Sequence, residues 1–380
     1  MKEYGVGIIG FGFMGRTHTY AYKTIPFYYG NLPFKTRLVG VCSRTLEGAR
    51  RAKEEFGFEI AASEPERLFE RDDIHIINIC TPNDSHKDLL IKALKAGKHV
   101  YCDKPMTISG NEALEVLEIL QSDATAADLT TQMAFNNRFY PAVLRAKQII
   151  DEGLIGTPIS FRGCYLHSSS VDPEKPAGWR HADNSAGGGV VLDLGSHLFD
   201  MIYYLMGEYA GINVRKHVLH GTRKDRNGKP VRVNAEDYFM AMAEMRNGAV
   251  GTLEASKIAT GVGSDQRVEI HGDKGAVRFN LSEPDYVEFY DNTASGAPYG
   301  GMKGFLKIEC HQRFEPPGGI FPQSNVSAGW LRAHVHSLYS FLASVDAGRQ
   351  ANPSLVEGAY IQYVMDKAFE SDRLRTWVEV

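Results

Sequence analysis

Two carboxylates and an imidazole follow a run of three glycines near the middle of the chain. Asp193, His197 and Asp200 stand at positions i, i+4 and i+7, so a helix that begins after Gly189 places all three on one face. A histidine of ordinary pKa can accept a proton from an alcohol near neutral pH, and Asp193 can orient the ring or bind a neighbouring hydroxyl. The same spacing also suits an Asp–His pair that only supports the helix, or half of a metal site, so three interpretations stay open.

A lysine followed by proline is the second candidate group. The segment Tyr101-Cys102-Asp103-Lys104-Pro105 ends a predicted strand, and the proline ring restricts the backbone directly after Lys104. An ammonium held in this way can hydrogen-bond a substrate hydroxyl and stabilise the negative charge that develops on oxygen when a hydride leaves carbon. A surface lysine beside a turn is the alternative, and the spacing alone favours it.

A glycine-rich turn near the N-terminus predicts a dinucleotide site. The segment Gly10-Phe11-Gly12-Phe13-Met14-Gly15 follows an apolar strand directly and runs into a helical pattern. Gly10 permits a tight turn, Gly12 leaves space for a pyrophosphate, and Gly15 lets the helix pack on the strand, while the helix N-terminus directs its N–H groups at the phosphates. We therefore assign residues 10–15 to cofactor binding, with a chance glycine-rich turn as the alternative.

The end of the second strand bears on the choice of cofactor. Proteins specific for NAD usually place a carboxylate there, on the ribose 2′-hydroxyl, whereas this chain has Ser43 and Arg44. A guanidinium can pair with a 2′-phosphate or stack on adenine, which favours NADP slightly over NAD. The alternative is a solvated arginine at a helix start that accepts either cofactor.

A second polar turn follows the fourth strand, at the carboxyl edge of the sheet, where ligands of such folds bind. It consists of Cys80-Thr81-Pro82-Asn83-Asp84-Ser85-His86, in which Thr81 and Asn83 are candidates for contact with the cofactor ribose or phosphates. Turn formation and helix capping explain the same residues equally well. The residues alone indicate a local structural contact for His86.

These candidate groups need a scaffold, and the first 120 residues have the pattern of a parallel sheet covered by crossover helices. The predicted elements are strands at residues 6–9, 38–41, 74–79 and 99–101 and helices at residues 46–56 and 88–96. Gly97 is a residue type that favours the left-handed end of a helix. Residues 25–35 are predicted to interrupt the first crossover as a loop, which either overhangs the cofactor or only lengthens the surface.

The pattern changes after residue 128. A helix over residues 142–152 precedes alternating runs that predict a mostly antiparallel sheet, and a helical tail covers residues 331–370. The predicted strands lie at residues 159–165, 213–219, 238–245, 249–256, 266–271 and 276–280. We therefore predict an α/β protein with two domains: a doubly wound, Rossmann-type NAD(P)-binding domain over residues 1–128 and an α+β substrate-binding domain over residues 129–380.

Composition excludes several other classes of protein. The 380 residues, 43% of them apolar, can bury more than one core, and the net charge of −4 argues against nucleic acid as a partner. The five cysteines contain no Cys-x-x-Cys pair, and their odd number favours buried thiols in a reducing cytosol over disulfide, redox or zinc chemistry. The chain begins without a leader pattern, and no run is long enough to cross a bilayer, so we predict a cytoplasmic protein with no membrane partner.

Taken in order, these motifs resemble those of the Gfo/Idh/MocA oxidoreductases, the family of glucose–fructose oxidoreductase and inositol dehydrogenase. The likeness spans nearly the whole chain. It is carried by residues 10–15, Thr81-Pro82-Asn83 with His86, Asp103-Lys104-Pro105, Asn137-Arg138-Phe139 with Pro141, Ile155-Gly156, Trp179-Arg180 and residues 187–197. The family usually has glutamate where Asp103 stands, a conservative departure that keeps the Lys-Pro step intact.

The resemblance implies an NAD- or NADP-dependent dehydrogenase that acts on a sugar or polyol carbinol, with a large open sheet in its second domain and homodimers or homotetramers built on that sheet. It implies that Lys104, Asp193 and His197 line the substrate, with His197 as the acid/base, and it argues against a metal site. The Lys-Pro peptide is often cis in such enzymes. The residues assigned to the cofactor site beyond the glycine motif are Ser43, Arg44, Thr81, Pro82, Asn83, His86, Asp103 and Lys104.

Further residues on segments that should border the substrate combine hydrogen-bonding groups with aromatic faces, a mixture that suits a polyhydroxylated ring. They are Asn136, Arg138, Tyr165, His167, Trp179, Arg180 and Asp183. Inositols, aldoses, anhydrosugars and sugar acids all match this description. Two other functions stay open: a glycosidase that oxidises its sugar transiently with bound NAD, and a non-catalytic NAD(P)-sensing regulator. Retention of Lys104, Asp193 and His197 together favours turnover over sensing.

Overall fold

The computed structural model of the chain describes residues 1–178, 181, 187–301, 303–310 and 329–380. They form two compact units, Met1–Asn136 with Leu331–Gln362 and Asn137–Trp330 with Tyr363–Val380. Trp179, Arg180 and Asp183, which the sequence analysis assigns to the substrate site, lie outside the described residues.

The first unit is built on a parallel sheet of six strands in the order β3-β2-β1-β4-β5-β6. The strands are β1 (Lys2–Ile9), β2 (Phe34–Cys42), β3 (Ile60–Ala62), β4 (Ile76–Ile79), β5 (His99–Cys102) and β6 (Thr131–Met133). Their central residues are mostly apolar and fully buried, as expected for a sheet with helices on both faces. The strand order reverses between β1 and β4, and the doubly wound topology predicted from the sequence is confirmed.

Helices connect these strands. They are α1 (Phe13–Tyr28), α2 (Leu46–Phe56), α3 (Glu66–Phe69), α4 (His86–Lys95) and α5 (Gly110–Ser122). The Thr45 hydroxyl caps α2 by accepting from the Gly48 N–H at 3.2 Å, and α2 ends at Gly57, whose φ of 72° is left-handed. The predicted end of α4 is confirmed in the same way, since Gly97 has a φ of 67°.

The predicted loop after the first helix is shorter than expected. α1 continues to Tyr28 and leaves only residues 29–33 before β2. The Tyr29 ring stacks on the Tyr339 ring with 4.1 Å between centroids, and this contact fixes the turn within the first unit. A loop that begins at residue 25 is therefore wrong: Pro26 does not end the helix, because the packing of the following turn holds it in place.

The first unit also extends past the predicted boundary at residue 128. β6 is the last strand of its sheet, and α8 (Trp330–Asp346) belongs to the same unit. Buried polar side chains explain both features. Tyr101 and Gln132 are neighbours across β5 and β6, the Tyr101 hydroxyl lies 2.8 Å from the Ser337 hydroxyl, and the Gln132 side-chain amide donates to the Ser337 carbonyl at 3.0 Å.

The predicted helical tail consists of two helices, α8 and α9 (Leu355–Leu374). Residues 331–362 belong to the first unit rather than to the second, which differs from the predicted division of the chain. No helix in the described part of the chain is both long enough and apolar enough to cross a membrane.

The second unit centres on a nine-stranded sheet in the order β16-β15-β14-β13-β7-β12-β11-β8-β17. Its strands are β7 (Pro158–Leu166), β8 (Tyr209–His217), β11 (Tyr238–Met245), β12 (Val250–Ser256), β13 (Asp265–Gly272), β14 (Gly275–Asn280), β15 (Tyr286–Asp291), β16 (Leu306–Glu309) and β17 (Val378–Glu379), and β9 (Thr222–Lys224) pairs separately with β10 (Pro230–Arg232). Only β7 and β12 pair in parallel among these described strands, so the predicted mostly antiparallel sheet is confirmed. β9, β10, β15, β16 and β17 were not predicted.

The sheet of the second unit has one face covered by helices. α6 (Pro141–Asp151) packs on β14 and β15, and α7 (Ser196–Met206) packs on β7. Along β11 the odd-numbered residues 239–245 are buried, whereas Met240 and Met242 on the opposite face are each 54% exposed. The covered face is therefore the one on which α7, the helix that carries His197, packs.

Candidate cofactor and substrate sites

Close backbone contacts require glycine at two positions of the N-terminal turn. Gly10 has a φ of 91°, and a Cβ there would lie 2.6 Å from the Cys80 carbonyl group. A Cβ on Gly15 would lie 2.2 Å from the Gly10 carbonyl oxygen, so only glycine lets α1 begin this close to β1. The Gly10 N–H donates to the Cys42 carbonyl at 2.9 Å, which ties the turn to β2.

Gly12 differs from these two glycines. A Cβ built on it would meet nothing within 4 Å in the described structure outside the turn itself, and its φ of −81° is open to any residue. Gly12 is also the N-cap of α1, whose first turn has no acidic residue and no side-chain cap. An open surface at such a helix N-terminus suits an anion, so the residues of this turn fit the pyrophosphate of NAD(P).

The larger side chains of the turn have different surroundings. Phe11 packs against Phe56 and Phe58, with 5.3 and 5.7 Å between ring centroids. Phe13 is exposed and Met14 is half-buried. The turn therefore rests on α2 and its C-terminal loop through Phe11, while Gly12 stays uncovered.

The end of β2 has the polar groups that the sequence predicted. Ser43 is half-buried and Arg44 is exposed. Burial raises the pKa of the neighbouring Cys42 thiol to about 11, and the negative charges of Glu66 and Glu64 add to that rise. Two carboxylates from beyond β3 thus also act at this strand end.

The turn that follows β4 is held by its own side chains. The Ser85 hydroxyl donates to the Thr81 hydroxyl at 2.7 Å, and Asn83 is buried. The ring of His86 is fully buried, with one nitrogen 2.9 Å from the Pro105 carbonyl oxygen and the other 3.0 Å from the Thr81 carbonyl oxygen. His86 therefore joins two turns. These contacts favour the local structural role and give its assignment to cofactor binding no direct support.

Lys104 extends from a backbone that is fixed where β5 leaves the sheet. The Asp103 N–H donates to the Ile79 carbonyl at 2.9 Å, and the Lys104 N–H donates to the Asp103 carboxylate at 2.8 Å. The Lys104-Pro105 peptide is cis, as the resemblance implied. Because Cys80 contacts Gly10 and His86 contacts Pro105, the three predicted turns of the first unit meet at the carboxyl edge of its sheet.

A buried polar cluster beneath these turns was missed by the sequence analysis. The Nδ1 atom of His18 lies 3.1 Å from the Asn78 side-chain nitrogen and 3.1 Å from the Cys80 sulfur. Burial lowers the pKa of His18 and raises the pKa of Cys80 well above its usual range, so both groups are uncharged at neutral pH. A protonated, buried thiol is unreactive, which agrees with the prediction of inert cysteines. Helical spacing from the glycine motif would have indicated that His18 faces the sheet.

In the second unit, Glu236 holds the backbone from which the candidate catalytic helix begins. One oxygen of its carboxylate accepts from the Gly189 N–H at 2.8 Å and from the Val191 N–H at 3.0 Å, and its carbonyl accepts from the Val190 N–H at 2.7 Å. A Cβ on Gly189 would lie 2.0 Å from that carbonyl oxygen. Glycine is required here because the backbone of Glu236 approaches so closely, and no sequence pattern connected these two residues.

The helix that carries Asp193 and His197 begins with a wider turn than predicted. Residues 191–195 form a π-helical turn that continues into α7, and the Asp193 N–H donates to the Gly189 carbonyl at 3.1 Å. Such turns occur often at functional sites. The structure keeps Asp193 and His197 on the sheet side of this helix, and His197 is 9% exposed.

Asp200, the third member of the predicted trio, forms a buried ion pair with Arg138. Its carboxylate accepts from Nε of Arg138 at 2.9 Å and from Nη2 at 2.5 Å, and both side chains are almost completely buried. The Arg138 guanidinium also lies 4.9 Å above the Tyr204 ring centre. This buried pair fastens the turn after β6 to α7, so the structure does not support the prediction that Arg138 contacts substrate. Asn136, on the same turn, is 2% exposed.

Tyr165 on β7 lies beside the predicted pair. Its ring centroid is 6.1 Å from that of His197 and 5.1 Å from that of His167. Burial raises the pKa of the Tyr165 phenol to about 12, and the negative charge of Asp193 contributes to the rise. The structure thus brings Tyr165, His167, Asp193 and His197 together on the second unit, although they are far apart in sequence.

Lys257 completes this group and was not predicted. Its Nζ atom lies 3.0 Å from the Asp193 carboxylate, and the two side chains are 10% and 25% exposed. No spacing rule links residues 193 and 257, because their contact depends on how β12 pairs with β7. Among the residues that the structure describes, no three His, Cys, Asp or Glu side chains are grouped as a metal site requires.

Two family models match the chain. Residues 4–127 match an oxidoreductase family with an NAD-binding Rossmann fold, and residues 143–278 match the GFO/IDH/MocA C-terminal domain. Levoglucosan dehydrogenase of Pseudarthrobacter phenanthrenivorans is 31% identical over 393 residues, which cover 100% of this chain and 99% of that protein. Inositol 2-dehydrogenase of Rhizobium meliloti is 26% identical, with 96% of each chain covered. A solved structure of levoglucosan dehydrogenase in complex with NADH and levoglucosan matches with a TM-score of 0.94 at 31% identity, covering 100% of this chain and 99% of that one.

Proposed function

The chain belongs to the GFO/IDH/MocA family of NAD-binding oxidoreductases, and on that premise we propose that it transfers a hydride between a sugar or polyol carbinol and NAD or NADP. The relatives described above are dehydrogenases of levoglucosan and inositol, and one of them binds NADH together with levoglucosan. An anhydrosugar, an inositol or an aldose is accordingly the expected class of substrate.

One observation carries this proposal: an imidazole, a carboxylate with its own lysine, and a protonated phenol are grouped on the covered face of the second unit. A carbinol that loses a hydride must also lose its hydroxyl proton, and His197 is the group we assign to accept it. The Asp193 carboxylate lies 3.0 Å from the Lys257 ammonium and can accept a hydrogen bond from a neighbouring substrate hydroxyl. Tyr165 keeps its proton at neutral pH and can donate to a substrate oxygen.

When bound, the nicotinamide cofactor supplies the hydride acceptor. Residues 10–15 would hold its pyrophosphate against the N-terminus of α1, and Ser43 and Arg44 would meet the adenosine ribose. Thr81, Pro82, Asn83 and Asp103 remain proposed cofactor contacts on the same sheet edge. Lys104 is the proposed cation for the substrate oxygen, because its ammonium can stabilise negative charge that develops there.

The direct test is a panel of inositols, aldoses, anhydrosugars and sugar acids, incubated with NAD or NADP while nicotinamide absorbance is followed. A dehydrogenase reduces free cofactor in step with oxidised product. A glycosidase of the type considered above releases aglycone with no net reduction of free cofactor, and a sensing protein binds cofactor without turnover. Absence of reduction with every compound and both cofactors would contradict the proposed function.

For the cofactor we propose a modest preference for NADP, supported by the exposed Arg44 and the absence of a carboxylate on the end of β2 itself. Arg44→Ala should weaken NADP binding by about five- to tenfold, because a charge-assisted hydrogen bond to the 2′-phosphate contributes roughly 1–1.5 kcal/mol at an exposed site. NAD binding should change less than twofold. Fluorescence titration with NADPH and NADH measures both, and equal losses would count against a 2′-phosphate contact.

We also propose that two or more copies assemble through the exposed face of the second unit's sheet. Met240 and Met242 on β11 and Val250 on β12 are each 54% exposed, which leaves apolar side chains uncovered on adjacent strands. Met242→Asp should therefore shift the protein toward monomer in light scattering after gel filtration. Leu114→Asp, at an exposed position on α5 of the first unit, is the control and should leave the mass unchanged. A monomeric wild-type protein would contradict the assembly.

A cytoplasmic location is part of the proposal. The five cysteines are free thiols, three of them buried, and such thiols persist in a reducing compartment.

A further inference from the structure

Lys257 follows the last residue of β12 and meets the turn that carries Asp193. The 3.0 Å pair that it forms with the Asp193 carboxylate is largely sheltered from water. Sheltered pairs interact more strongly than surface pairs and lose more when one partner is removed. We infer that Lys257 is a positioning residue, which keeps Asp193 ionised and oriented for hydride transfer at a carbinol; the inference rests on the proposed function.

The backbone on either side of the Lys257 side chain is fixed. Its N–H donates to the Asp237 carbonyl at 2.7 Å, and its carbonyl accepts from the Ser170 N–H at 2.8 Å. The register of β12 against β7 places Ala255 opposite Tyr165, two residues before Lys257. The Lys257 side chain therefore extends from a fixed backbone near Tyr165. The negative charge of Asp193 also contributes to the raised pKa of the Tyr165 phenol.

The charges around the pair indicate what the lysine contributes. Arg223 and Lys257 add to the effect of burial in lowering the pKa of His181, while Asp237 opposes it. Asp237 is itself engaged, since its carboxylate accepts from the Leu219 N–H at 3.1 Å. Lys257 is in direct contact with the Asp193 carboxylate, and its removal favours a protonated or rotated carboxylate that is a poorer hydrogen-bond acceptor.

Steady-state kinetics of Lys257→Met, with a carbinol substrate that the wild-type enzyme oxidises, tests the inference. We expect kcat/KM to fall by about thirtyfold or more, which is the lower end of the loss that removal of one partner from a sheltered charge pair produces. The affinity for NADH, measured by fluorescence, should stay within twofold of wild type, because Lys257 belongs to the second unit. Lys257→Arg keeps the charge and should recover most of the lost rate.

A double-mutant cycle separates action through Asp193 from a merely structural role. If Lys257 acts through the carboxylate, Lys257→Met in an Asp193→Asn background should change kcat/KM by less than about twofold. If the loss in kcat/KM of the double variant equals the product of the two single losses, the two residues act independently and the inference is overturned. So would wild-type kinetics in Lys257→Met.

Two further measurements keep these outcomes distinct. Lys224→Met removes a lysine that forms a 3.0 Å pair with Glu174 at an exposed position of the same unit, and it should leave the kinetics unchanged. If Lys257→Met fails to fold, as its melting temperature and NADH binding will show, Lys257→Gln replaces it in the same cycle. A wild-type enzyme without turnover on any carbinol would count against the proposed function, whereas an active wild type with an equally active Lys257→Met would count against the role of Lys257 alone.

Discussion

Replacement of His197 by alanine is expected to lower kcat by at least about a hundredfold, the usual effect of removing a general base. His197 lies on α7, close to the phenol of Tyr165 and one turn after Asp193. Without an imidazole to accept the hydroxyl proton, the carbinol carbon would have to lose its hydride while the oxygen is still protonated. Affinity for NADH should stay nearly intact, because the groups assigned to the cofactor belong to the first unit.

One control variant and one further loss-of-activity variant accompany this prediction. His271→Ala removes a half-exposed histidine of β13 that pairs with Glu269, and it should leave kcat unchanged. Lys104→Ala should lower kcat by about a hundredfold as well, because the developing negative charge on oxygen would lose its cation. Turnover close to wild type in both His197→Ala and Lys104→Ala would remove these residues from the mechanism.

The parts of the fold that could be predicted from the sequence are those fixed by local pattern. β-branched runs, the cap at Thr45 and the glycine after α4 each act within a few residues, so strands, helices and topology followed from them. Strands β3, β6, β9, β10 and β15 to β17, most of them short, carry weaker patterns and were missed. The end of α1 was misjudged because a distant aromatic contact, between Tyr29 and Tyr339, decides it.

The division of the chain into units depended equally on distant contacts. Gln132 reaches Ser337 across more than half of the chain, and this hydrogen bond helps to keep β6 and α8 in the first unit. Hydrophobic periodicity identifies α8 as a helix but carries no information about which sheet it covers. A boundary drawn where the composition changes, at residue 128, therefore fell too early.

The residues of the candidate site also fall into those that local sequence places and those that distant contacts place. Asp193 and His197 lie within one helical turn, so their spacing was informative, and Gly10 and Gly15 are only five residues apart, where β1 turns into α1. Lys257 follows β12 and Glu236 precedes β11, and only the pairing of these strands brings the two residues to that helix. Arg138 shows the converse, because a motif suggested substrate contact while burial against Asp200 gives it a structural partner.

Gly12→Ala is expected to separate cofactor binding from folding more sharply than any other change in the first unit. Gly12 has backbone angles open to alanine, and a Cβ there meets no described atom within 4 Å outside the turn. The free energy of unfolding should therefore stay the same or rise by up to about 1 kcal/mol, because alanine restricts the unfolded chain. The added methyl group would occupy the space assigned to the pyrophosphate, and NADH affinity should fall at least about tenfold, a loss of roughly 1.4 kcal/mol.

Gly15→Ala should instead lower the stability of the fold. The contrast between the two variants separates the glycine needed for packing from the glycine needed for the cofactor. A Cβ on Gly15 would lie 2.2 Å from the Gly10 carbonyl oxygen, so α1 must move away from β1 at a cost of about 1–3 kcal/mol in unfolding free energy. Denaturant unfolding and NADH titration of both variants test this directly. If Gly12→Ala bound NADH as tightly as wild type, the phosphates could not pass over Gly12, and the dinucleotide site would have to be sought elsewhere, since packing within the described structure gives no other reason for a glycine there.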